Sequence, residues 1–201
     1  DSTPFLEGSL IAWRAGLISS SDLYYSSNAD DAQIATASRL AGLRSIQDPE
    51  LKFSDQMPLT TKGQRRQKVR RAQGLIRLLA RKRNHWFSKR EGRFAKILRR
   101  NAWMHILSPL AVATGAILAV MRNIAYFPES TLMLTLSAVE VYCLTSWALT
   151  RIDKSFFGTK TAGVIMCGLE NLFVALIVSA QGKSLHMWEQ HVDVREELSK
   201  R

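Results

Sequence analysis

Cysteine is scarce in this chain: two among 201 residues, Cys143 and Cys167. That excludes a small secreted domain stapled by disulfides. Acidic residues are all but missing from residues 62–102, which hold 16 Lys and Arg against one Glu. Asp, Glu, Lys and Arg are nearly missing from three later stretches, 102–121, 131–150 and 162–181, which hold only Glu140 and Glu170. No Gly-rich phosphate loop, nucleophile elbow or zinc-protease helix is present. These absences argue against a simple globular enzyme.

What remains is a segmented sequence. The net charge is +11 at pH 7. Residues 1–61 carry 4 basic and 8 acidic side chains, while 103–181 and 182–201 each balance 4 against 4. All the positive excess therefore lies in one block, directly before the most apolar part of the chain.

Each of the three apolar stretches has about the 20 residues needed to cross a bilayer as a helix. Buried helices of a soluble bundle would keep a polar stripe at the 3.6-residue period; these do not. The expected class is an all-α integral membrane protein: three transmembrane helices behind a basic amphipathic helix and a short helical N-terminal arm. The expected divisions are 1–57, an arm with short helices; 58–101, the basic amphipathic segment; 102–181, the transmembrane region; and 182–201, a tail.

Basic residues stay on the side where insertion begins. That keeps the 62–102 block on one side, the 122–130 loop opposite, and the loop with Arg151, Lys154 and Lys160 back on the first. The tail is then expected opposite. Trp103 and Trp147 fall at the basic interface, and Tyr126, Phe127 and Trp188 at the other. The chain opens on Asp1 rather than Met. Loss of an organellar transit peptide would leave the basic block in matrix or stroma, where the charge rule expects it. The expected site is therefore an organellar inner membrane, mitochondrial ahead of plastid, with the N-terminus on the matrix or stromal side.

In the arm, Thr3 and Pro4 open a helical spacing of Phe5, Leu6, Leu10, Trp13 and Leu17, predicting a helix over 3–18. Asp30 with Gln33 forms a capping-box pattern before Ile34, Ala37, Ala41 and Ile46. Such segments are too thinly apolar to bury a core alone, so docking on a neighbour is expected. From Thr60 the pattern is helical to about Arg83, with a stripe of Ala72, Leu75, Ile76, Leu79 and Trp86. A bend follows at 84–88, then a second capping-box pattern, Ser88 with Glu91. Phe94, Ile97 and Leu98 resume the stripe toward the first span, where Pro109 predicts a kink.

Arg81, Lys82, Arg83, Arg99 and Arg100 are the candidate lipid- or partner-binding residues. Anionic lipid such as cardiolipin suits them, since each cation near a charged surface contributes on the order of 1 kcal/mol. A protein partner fits the same surface. Nucleic acid is a weaker match, because no RNA-binding motif accompanies the charges.

Glu140 and Glu170 are the sharpest features, with Asn171 beside the second. Measured from Arg151 and Ala162, they lie roughly 16 and 12 Å deep on helices expected to be antiparallel. An ionised carboxylate there is costly, so each is expected neutral, paired or in a wet cavity, with Asn171, Ser137 or Tyr142 as partners. Ala111, Gly115 and Ala119 form a small-residue ladder for helix packing. The cysteines are expected to be inert buried thiols. His186, Glu189 and His191 are spaced poorly for a metal site. No catalytic group, metal or cofactor is expected.

The expected role is a non-catalytic accessory or scaffold subunit of a multisubunit complex of respiratory-chain, ATP synthase or photosynthetic type. Its expected partners are the other subunits and anionic lipid. Two alternatives come from other classes: an ion- or proton-conducting protein using Glu140 and Glu170, and a membrane tether for RNA or ribosomes through residues 62–100.

Overall fold

A computed structural model describes residues 11–19, 23–24, 28–46, 48, 50, 58, 60–126 and 130–183. The order of elements is α1 (Asp30–Leu40), α2 (Thr61–Arg81), a 3-10 turn (Arg83–His85), α3 (Arg93–Ala102), a π-helical turn (Trp103–Leu107), α4 (Ser108–Tyr126), α5 (Thr131–Arg151) and α6 (Phe157–Ala180). No strand occurs among the described residues. Three helical runs, Arg93–Tyr126, Thr131–Arg151 and Phe157–Ala180, are long and apolar enough to cross a membrane. The chain forms two compact units: residues 1–105 with 175–201, and residues 106–174.

The first unit has a small core of its own. Leu79, Phe94 and Leu98 are fully enclosed, with Ile76, Leu78, Ala32 and Ala35 nearly so. These come from α1, α2 and α3, so α1 finds its covering surface within the chain. Gly74 makes that possible. A Cβ there would lie 2.7 Å from the Asn28 carbonyl carbon and oxygen and 2.9 Å from the Ala29 Cβ. Only a glycine lets the backbone before α1 rest on α2.

Local chemistry sets the helix ends. Thr60 caps α2 by accepting from the Gly63 N–H at 3.1 Å, and Ser130 caps α5 through Met133 at 3.3 Å. α1 stops at a left-handed Gly42 (φ 85°), with Gly42 N–H on the Arg39 carbonyl and Leu43 N–H on the Ser38 carbonyl. α5 ends the same way with Asp153 in the glycine position (φ 55°), its N–H on Thr150 and that of Lys154 on Leu149.

Several sequence expectations are corrected here. In the predicted 3–18 helix, residues 1–10 lie outside the described residues, and 11–18 form no helix: a turn closes from Leu17 N–H to Arg14 O, with Gly16 at φ 78°. Neither capping box forms. α1 starts after a left-handed Ala29, and the Gln33 amide oxygen instead accepts from the Tyr24 N–H at 2.7 Å. α3 starts after Gly92 (φ 53°), and the buried Glu91 faces His85 at 3.6 Å. α1 also ends before Ile46, which is exposed.

The expected disturbance at Pro109 is a π-helical turn. Proline has no N–H to give the carbonyl four residues back, so the preceding turn widens. Within it the His105 Nδ1 lies 2.9 Å from the Asn101 carbonyl, so this nitrogen carries the proton. α4 then continues to Tyr126, beyond the expected end at Met121, which makes Arg122 and Asn123 helical.

Candidate functional site

Two polar clusters occupy the second unit. Because α4 extends past Met121, Arg122 and Asn123 face α5. The Arg122 Nη2 lies 2.9 Å from both Glu140 oxygens, and Asn123 Nδ2 donates to the same carboxylate at 2.8 Å. Ser137 Oγ donates to the Asn123 Oδ1 at 2.8 Å. Glu140 thus receives a cation and an amide from the preceding helix, which answers the desolvation cost of a carboxylate at this depth.

Glu170 has different partners. Trp147 Nε1 donates to its Oε2 at 2.9 Å, and Arg151 Nε lies 3.9 Å from the same oxygen. Tyr142, an expected partner of a carboxyl group, donates instead to the Gly158 carbonyl. Asn171 is buried with its Oδ1 unpartnered. Gly163 meets α5 at Ser146 and Thr150: a Cβ there would collide with the Ser146 carbonyl and the Thr150 side chain.

Tyr142 pairs with Gly158, Ser146 and Thr150 with Gly163, and Trp147 and Arg151 with Glu170. Thr150 meets Gly163 while Trp147, three residues earlier, meets Glu170, so these contacts run in no single direction along α5. Glu140 and Trp147 are seven residues apart on α5, about 10 Å along the axis. The two carboxylates therefore occupy separate levels rather than one.

The candidate binding cations lie in the first unit. Arg81 stacks on the Tyr24 ring, its guanidinium carbon 3.9 Å from the centroid, and Arg99 lies 5.2 Å from that of Phe87. Lys82 is half-buried, whereas Arg83 and Arg100 are exposed. Burial lowers the pKa of Arg81, with the charge of Arg77 acting the same way; burial and then Arg71 lower that of Arg70. Both guanidinium groups stay cationic near neutral pH.

A contact not foreseen joins α2 to the end of α6. The fully buried Gln73 donates its amide to the Lys183 carbonyl at 2.7 Å, and Arg77 Nη2 donates to the same oxygen at 2.5 Å. Left-handed Gly182 (φ 69°) turns the chain out of α6 toward them. A glutamine enclosed on a basic helix was the available signal, since a buried amide requires a partner. The contact also differs from the expected topology, in which the end of the third span lies across the membrane from α2.

Other candidates are dispersed. Ala111 and Gly115 are exposed and Ala119 half-buried, and a Cβ on Gly115 would touch nothing within 4 Å. Cys143 and Cys167 form no disulfide and are half-buried rather than buried as expected. Among the described residues no group of three or more His, Cys, Asp or Glu is placed to hold a metal; His186, Glu189 and His191 lie outside them. Comparison with protein-family models, curated proteins and solved structures finds no match.

Proposed function

We propose that this chain is a non-catalytic accessory subunit of a multisubunit complex in an organellar inner membrane, of respiratory-chain, ATP synthase or photosynthetic type. One observation carries the reading. Both intramembrane carboxylates are taken up in contacts between neighbouring helices, Glu140 with Arg122 and Asn123, Glu170 with Trp147 and Arg151. Their separate levels on α5 suit two helix locks better than one proton relay, which needs titratable groups in sequence.

The outer surface supports the same reading. In the most apolar window of the first span only 6% of the residues are buried, and in those of the second and third 11% and 17%. That leaves broad faces for other subunits and for lipid. The cationic block 62–102 favours the matrix or stromal side, mitochondrial in preference to plastid, with anionic lipid such as cardiolipin as a second partner. Within the first unit, α1 and α2 are the parts that meet neighbouring subunits outside the bilayer.

The test is gentle solubilisation of the native membrane and sizing of the particle that holds this chain. A large particle of fixed composition is expected. Migration as a lone small protein overturns the proposal, and so does a particle that nuclease releases from RNA.

A further inference from the structure

We infer that the outward face of α3, together with Phe87 and Trp103, is a binding site for the phosphate headgroups of anionic phospholipid. This rests on the proposed reading that anionic lipid is one partner of the chain, and it names the residues that would hold it.

The helix has two faces of opposite character. Phe94, Ala95, Leu98 and Ala102 are buried in the first unit's core, while Arg93, Lys96, Arg99 and Arg100 are exposed. No acidic side chain occurs from Arg93 to Leu107 to offset them. The nearest, Glu91, is buried and turned to His85. An exposed row of uncompensated cations matches phosphate and repels nothing on an anionic surface.

Depth selects lipid over other polyanions. The helix runs on from Arg93 to Tyr126, into the first apolar span. Trp103 is 57% exposed and stands one turn beyond Arg99 and Arg100 on this helix. An exposed Trp at the start of a span belongs at the headgroup level, which puts the two arginines about 5 Å outside it, where phosphates lie. Phe87, 74% exposed on the loop before α3, is the second anchor, with Arg99 against its ring. A large apolar ring held in the open beside a cation suits the boundary between headgroup and acyl chain. A nucleic acid would use the cations and rings but has no use for their alignment with a membrane span.

The test uses the full chain, purified in mild detergent. Retained lipid is counted by native mass spectrometry during titration with cardiolipin or phosphatidylcholine. Cardiolipin is expected to be retained at least tenfold more readily than phosphatidylcholine. R99E/R100E should lose about tenfold of that preference, and F87S a smaller part. The charge-removing R99Q/R100Q should move the same way while helicity by circular dichroism stays unchanged. K62E/K68E, an equal charge change at exposed positions of α2, should leave the preference intact. Equal retention of the two lipids overturns the proposal, as does equal loss in the α2 control or co-purifying RNA that excludes lipid. The isolated chain reports on this site alone, so failure here leaves the subunit reading to the sizing experiment.

Discussion

The Arg122–Glu140 pair shows why a charge inside an apolar segment is read best through its partner. Removing one member leaves the other desolvated, whereas removing both leaves two side chains of similar volume against lipid or helix. Arg122→Met is therefore expected to destabilise the α4–α5 hairpin by about 1.5–3 kcal/mol, the range for hydrogen bonds to charged groups. The double variant with Glu140→Met should recover most of that loss in detergent-unfolding measurements. A double variant no better than the single one would show that the pair does not exist. At Glu170 the acceptor matters more than the charge, because Trp147 Nε1 donates to it. Glu170→Gln keeps an acceptor oxygen and should leave assembly and proton flux unchanged, while Glu170→Leu should cost about 1 kcal/mol, the scale of interhelical hydrogen bonds in membranes. A Gln variant that assembles but abolishes flux would favour the conducting alternative.

At the scale of elements, two glycines act through what they leave out. In an exposed helix Gly→Ala gains about 1 kcal/mol from propensity. On α2 that gain is opposed, because a Cβ at Gly74 lies 2.7 Å from the Asn28 backbone, which cannot rotate aside. Overpacking of this kind costs about 1–3 kcal/mol, so Gly74→Ala should lower the stability of the first unit and expose α1 to protease. A stabilised variant would mean that α1 does not seat there. Gly163→Ala should weaken the α5–α6 crossing in the same way, whereas Gly115→Ala, facing open space, should not. Sequence patterns located the elements far better than their joints. Hydropathy marked all three apolar helices, and the apolar stripe marked the Leu79, Phe94 and Leu98 core. The same rules ended α4 at the first charge. The helix runs on through Arg122 because Glu140 and Asn123 complete its hydrogen bonding, and that partner is remote in sequence. The capping boxes misled for a related reason: Gln33 and Glu91 find tertiary partners stronger than the local ones.

For the whole chain, charge alternation and tertiary contact give different answers about the end of α6. Three crossings would put Lys183 across the membrane from α2. Yet its carbonyl receives hydrogen bonds from the Gln73 amide and the Arg77 guanidinium. Gln73 is fully buried, so breaking this contact would strand an enclosed amide, at about 1–3 kcal/mol. Side chains of α2 cannot reach across a hydrocarbon core of about 30 Å. If this contact persists in the membrane-bound protein, Lys183 and α2 share a side; three crossings would separate them and break it. Lys68→Cys and Lys183→Cys place single reporters at exposed positions on each partner. In sealed, oriented vesicles a membrane-impermeant maleimide is expected to label both from the same face. Labelling from opposite faces would establish an odd number of crossings and remove the Gln73–Lys183 contact from the membrane-bound protein.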